Sequence, residues 1–62
     1  MLNLQLPEGG EQFDAAAFTQ SGEFIKIGHR EECEQAAIEA RGLYCWIING
    51  SAVIRGDFED RD

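Results

Sequence analysis

The chain of 62 residues carries 12 acidic and 5 basic side chains, a formal net charge of −7 at pH 7, and is 44% hydrophobic. That length allows one domain over residues 1–62, near the lower limit for independent folding, since domains usually need roughly 100–150 residues. The hydrophobic share excludes an intrinsically disordered chain, and the surplus of negative charge excludes a nucleic-acid binder built on a basic patch.

The N-terminus, Met1-Leu2-Asn3-Leu4-Gln5-Leu6-Pro7, shows no basic region and no apolar run of signal-peptide length. The longest apolar stretch, Leu43 to Ile48, is far short of the ~20 residues that cross a bilayer. The expectation is a cytoplasmic protein with no membrane contact. Leu2, Leu4 and Leu6 alternate with polar residues, the period of a half-buried strand. Pro7-Glu8-Gly9-Gly10 ends it, because proline lacks an N–H and glycine accepts positive φ.

Residues 11–22 read in two ways. Asp14 caps a short helix with Phe13 and Phe18 as a hydrophobic staple, or Ser21-Gly22 is the turn of a hairpin whose edge strand runs from Ala15 to Gln20. The strand is the better reading, since a six-residue helix is weak in isolation. Glu23 to Ile27 is a strand, with Ile25 and Ile27 assigned to one face.

A helix follows from about Arg30 to Arg41. Glu31 and Glu32 in its first turn and Arg41 in its last complement the macrodipole, and Gly42 fits the C′ position. Cys33, Ala36, Ala37 and Ala40 form a stripe of small residues suited to lying close on a sheet. Ile38 projects away from that stripe, among glutamates. Leu43 to Ile48 and Ser51 to Arg55 then form a hairpin around Asn49-Gly50, a type I′ turn signal. Its register pairs Ile48 with Ser51, Ile47 with Ala52, Trp46 with Val53, Cys45 with Ile54 and Tyr44 with Arg55. Residues 57–62 read as a frayed acidic tail. The resulting fold class is α+β: a small, mainly antiparallel sheet of three to four strands with one α-helix packed on one face, in the order β-(β)-β-α-β-β.

Both hairpin faces are apolar, and one helix covers one of them. Leu43, Cys45, Ile47, Ala52 and Ile54 match the small stripe. Tyr44, Trp46, Ile48 and Val53 are then either covered by the segment from Phe13 to Phe18 or left exposed as an interface, where Tyr and Trp are common anchors. The residue types argue against chemistry. His29 and Cys33 lie one helical turn apart, but a metal needs three or four ligands, and only Cys45 joins them. Cys33 on the buried stripe is a poor nucleophile, so both cysteines read as small buried hydrophobes. The glutamates lack the spacing of a calcium loop, and no phosphate loop occurs. No catalytic residue, metal site or cofactor is expected.

A negative surface steers towards grooves lined by Lys and Arg. Here the helix Glu31-Glu32-Cys33-Glu34-Gln35-Ala36-Ala37-Ile38-Glu39-Ala40-Arg41 and the hairpin around Asn49-Gly50 resemble the small acidic inhibitors that phages encode against bacterial defence, notably anti-CRISPR proteins. The resemblance covers about the C-terminal two-thirds of the chain and implies steric or nucleic-acid-mimicking blockade of a basic nucleic-acid-handling complex, without direct nucleic-acid binding. The expected partner-binding residues are Glu31, Glu32, Glu34, Ile38, Glu39, Tyr44, Trp46, Asp57, Glu59 and Asp60. The alternative is a homodimeric structural or assembly module joined through the Tyr44 and Trp46 face.

Overall fold

A computed structural model describes residues 4–59. A single 3-10 turn at Gly10–Gln12 leads into β1 (Ala15–Phe18) and β2 (Phe24–Gly28). Then come α1 (Arg30–Ala40), β3 (Leu43–Ile48) and β4 (Ser51–Asp57). The four strands form one sheet in the order β2-β1-β3-β4, with every neighbouring pair antiparallel. This is the expected α+β class, a four-stranded antiparallel sheet with one helix packed on it.

The ambiguous segment is a strand, and it is central where the sequence suggested an edge. β1 lies between β2 and β3, and Ala15, Ala16, Ala17 and Phe18 are all fully buried. Three consecutive alanines suit this position because both sheet faces are covered there, and small side chains let the covering layers approach. The turn that follows is the expected hairpin: Gly22 takes a positive φ of 94°, and the Thr19 N–H donates to the Glu23 carbonyl at 2.8 Å.

β2 and β3 both run antiparallel to β1, so they are parallel to each other, and α1 is the crossover between them. Crossovers of this kind are overwhelmingly of one hand, so topology selects the helix's face. That face is the reverse of the expected one. Cys33 and Ala37 pack over Ala15, Ala17 and Tyr44, with Ala36, Ile25, Trp46 and Phe58 around them. On the opposite face Ala16, Phe18, Leu43 and Cys45 are covered by Leu4, Leu6, Ile27, Ile47 and Ala52. The residues from Leu4 to Leu6 therefore act as a covering arm. No strand forms there, contrary to the alternation of leucines, and Leu2 lies outside the described residues. Phe18 also meets the Phe24 ring edge-on, with centroids 6.0 Å apart.

Two bulges correct the expected registers. In β2 Ala17 pairs with Lys26 but Phe18 with Phe24, so Ile25 is the extra residue. It joins the helix-side cluster while Ile27 joins the other, and the two isoleucines do not share a face. In the β3–β4 hairpin the four pairs from Ile48–Ser51 to Cys45–Ile54 are as expected, and then Tyr44 pairs with Gly56. Arg55 is the extra residue, and β4 continues to Asp57. Residues 57–59 are thus no frayed tail: the Phe58 N–H donates to the Gly42 carbonyl at 2.9 Å, and its ring packs on the helix-side cluster.

The helix end also departs from expectation. Arg41 carries the left-handed conformation, φ 54°, and its N–H donates to the Ile38 carbonyl. Gly42 is required for a different reason. A Cβ there would collide with the Phe18 carbonyl oxygen. Relief would need backbone movement between β1 and β3. Gly42→Ala is expected to lower the unfolding free energy by about 3 kcal/mol, the upper end for overpacking, as measured by urea denaturation. A change below ~0.5 kcal/mol, the level of an indifferent surface substitution, would show that the two backbones do not need this contact.

Candidate functional site

The outward side of α1 carries most of the residues singled out from the sequence. With Cys33 and Ala37 turned to the sheet, 100° per residue places Glu31, Gln35 and Ile38 on the crest. Glu32 and Glu39 fall on the flank beside β2, and Glu34 on the flank beside β3. All five acidic or apolar candidates of the helix are exposed, Ile38 at 42%. Among the described residues Glu31, Glu32, Glu34 and Glu39 form no ion pair. Their charges therefore face solvent without local neutralisation. Two open grooves border the helix. One, of about 460 Å³, runs between Lys26 and Glu31, Glu32, Gln35, Ala36 and Glu39. The other, of about 620 Å³, lies at the helix start among Asp14, His29, Arg30, Glu31 and Glu32.

The remaining candidates fall elsewhere. Tyr44 is 8% exposed beneath the helix, and Trp46 is half-buried, its indole N–H donating to the Tyr44 hydroxyl at 2.9 Å. Of the face expected to be covered by the Phe13–Phe18 segment or left open, α1 covers Tyr44 and part of Trp46, while Ile48 and Val53 stay exposed. Asp57 lies at the other end of the sheet from Glu31. It accepts from Gln20 Nε2 at 2.7 Å and from the Glu59 N–H at 3.0 Å. Gln20 also donates to the Arg41 carbonyl, so Asp57 and Glu59 sit near the C-terminal end of α1. Asp60 lies outside the described residues.

The cysteine and histidine positions separate as chemistry would require for inert groups. Cys33 and Cys45 are free and buried, on opposite faces of the sheet. The Cys33 thiol donates to the Ala15 carbonyl at 3.3 Å, whereas His29 is exposed, with Nδ1 3.9 Å from the Asp14 carboxylate. Burial pushes the Cys33 thiol up from its ordinary value, and burial raises Cys45 to about 11. Neither carries the thiolate that nucleophilic or metal chemistry needs. No group of three or more potential ligands that could hold a metal ion occurs among the described residues. No helix among them is long and apolar enough to cross a membrane.

Sequence reasoning missed one arrangement. Arg30 and Arg55 both stack on Trp46, with guanidinium carbons 4.0 and 4.4 Å from the ring centre. The alternation of β4 pointed Arg55 to the Trp46 side, but nothing in the sequence signalled that the first residue of α1 reaches the same ring.

No family model matches the chain, and no curated protein or solved structure is significantly similar to it.

A thiol held protonated contributes stability that is fully present below its unfolded pKa and lost as pH rises through its folded pKa. The unfolding free energy is therefore expected to be level up to about pH 8.5 and to fall as pH approaches the raised value, about 11 for Cys45. The fall should be shallower in Cys45→Ala. An identical fall in that variant would assign it to other groups. Both thiols should react with an aromatic disulfide reagent only on unfolding.

Proposed function

We propose that this chain is a non-enzymatic binding protein that inhibits a partner by presenting the outer side of α1 to a basic groove. The observation that carries the reading is the row of unneutralised carboxylates Glu31, Glu34 and Glu39 around the exposed Ile38. A rigid helix spaces these groups along roughly 12 Å, at 1.5 Å per residue. Carboxylates so spaced meet Lys and Arg side chains that otherwise hold phosphates, and the net charge of −7 accelerates the encounter. Ile38 supplies an apolar contact in the middle of the charged row. Burying the part of it that is still exposed would contribute about 1 kcal/mol in a complex. Asp57 and Glu59, near the C-terminal end of the helix, extend the same negative field.

The partner class that fits is a nucleic-acid-handling complex of bacterial defence, and the mode is that of a small phage-encoded inhibitor acting in the host cytoplasm. Tyr44 and Trp46 have no direct part in this contact, since α1 lies over them. A homodimer through their face would have to use Ile48 and Val53, which α1 leaves exposed.

The test is an RNA-guided DNA cleavage assay over a panel of bacterial effector complexes, with the protein titrated in. Inhibition of at least one complex is expected, weakening as salt rises because exposed charges are screened. The triple charge reversal Glu31→Lys, Glu34→Lys and Glu39→Lys should reduce potency by roughly tenfold or more, consistent with charged contacts at a binding surface. Equal inhibition by the folded triple variant, or no inhibition across the panel, would contradict the reading.

A further inference from the structure

The Arg30–Trp46–Arg55 cluster lies on the β3–β4 side of the helix, with Arg30 also bordering the groove that Asp14, Glu31 and Glu32 line, and it does not depend on the function proposed for the glutamates. Two cations converge on one indole in a chain with 12 acidic residues. Among the described residues neither guanidinium has a hydrogen-bond or ion-pair partner. A guanidinium held over an aromatic ring has its place fixed by that contact and can still donate to a planar carboxylate. Arg30 and Arg55 thus form a small positive island on a negative molecule.

This island borders an open strand edge. Among the described residues β4 has a neighbour on one side only, β3. Ser51 to Ile54 pair regularly with β3, and the bulge begins after them, at Arg55. The outer backbone groups of that stretch are available for pairing with another chain. Val53, opposite Trp46, and Ile48 share the helix-side face and are 38% and 44% exposed. The helix packs on β1, β2 and β3, which leaves this part of the sheet beside it uncovered.

We propose that the β4 edge takes an extended acidic segment of a partner protein as a fifth strand. Backbone hydrogen bonds along Ser51–Ile54 hold the segment, an apolar side chain rests on Val53, and a carboxylate meets Arg30 and Arg55. Strand addition of this kind draws affinity from the main chain and specificity from alternate side chains. Charge selects the occupant. A basic strand would meet two guanidiniums. A second copy paired edge to edge would bring no carboxylate within Ser51–Arg55 and would set its own Arg55, a cation, against the two guanidiniums.

The probe is a seven-residue peptide with threonine at its odd positions and valine, glutamate and glutamate at its even ones, so that valine and glutamate share one face of the strand; it is titrated into isotopically labelled protein and followed by amide chemical shifts. The same peptide with lysine for glutamate is the control. The single tryptophan, Trp46, reports independently by fluorescence. The expected result is shifts concentrated on the amides of residues 51–55 and on the Trp46 indole N–H, with the lysine peptide binding at least roughly tenfold more weakly, as loss of charge-assisted bonds requires. Arg30→Gln with Arg55→Gln should weaken the glutamate peptide to a similar degree. Arg55→Lys, which keeps the charge and spares the fold, should weaken it by a smaller factor through loss of the fork. Equal binding of both peptides, shifts confined to α1, no shifts at millimolar peptide, or self-pairing through β4 in sedimentation equilibrium would each overturn the proposal.

Discussion

The whole arrangement hangs on a strand made of almost nothing. Ala15, Ala16 and Ala17 sit at the middle of the sheet, fully buried, with a layer above and a layer below. On one side their small size lets Cys33 and Ala37 of α1 come close enough for the Cys33 thiol to donate to the Ala15 carbonyl. On the other, Ala16 leaves room beside Phe18, Leu43 and Cys45 for the arm carrying Leu4 and Leu6. A chain of this length has little apolar volume to distribute. Spending it on two thin layers around a narrow centre, rather than on one thick core, explains why so many large apolar side chains remain at the surface, among them Phe13, Phe24 and Ile54.

That thin construction separates the surface chemically. The helix is held by its small side, so its glutamates and Ile38 face away from the sheet. Its first residue, Arg30, points to the β3–β4 side and stacks on Trp46 together with Arg55. Each such contact contributes on the order of 0.5–2 kcal/mol and ties the helix start to the strand that lies beyond its main contacts. The bulge at Arg55 serves this contact, and the bulge at Ile25 lets β2 place one isoleucine in each layer. The bulge in β2 interrupts pairing at that edge, whereas the bulge in β4 follows the regular stretch Ser51–Ile54 and leaves it open.

Local signals were legible where the chain encodes them in a few adjacent residues. The Asn49-Gly50 turn fixed four of the hairpin pairs, with Asn49 at φ 52° and Gly50 at φ 77° as a type I′ turn requires. The helix from Arg30 followed from periodicity, and of its expected stripe Cys33, Ala36 and Ala37 meet the sheet while Ala40 is exposed. What failed was non-local. The alternation of Leu2, Leu4 and Leu6 looks the same whether it faces a sheet as a strand or lies on one as an arm. Three alanines have no β-propensity to advertise a central strand. With β1 placed at an edge, the crossover from β2 to β3 was invisible, and with it the side on which the helix lands. The outward position of Glu31, Glu34, Ile38 and Glu39 survived that error, because it depends on the helix's own stripe and not on which face of the sheet the stripe meets.

Native-state amide hydrogen exchange tests the central position of β1 most directly, since exchange from the last structure to open reports the global unfolding free energy. The account requires the amides of Ala16 to Phe18, with those of Tyr44 and Cys45 beside them, to be the slowest in the protein and to exchange only with global unfolding. Faster exchange in β1 than in α1 or in the outer half of the β3–β4 hairpin would mean that the alanine strand is an appendage rather than the centre, and the account would fail.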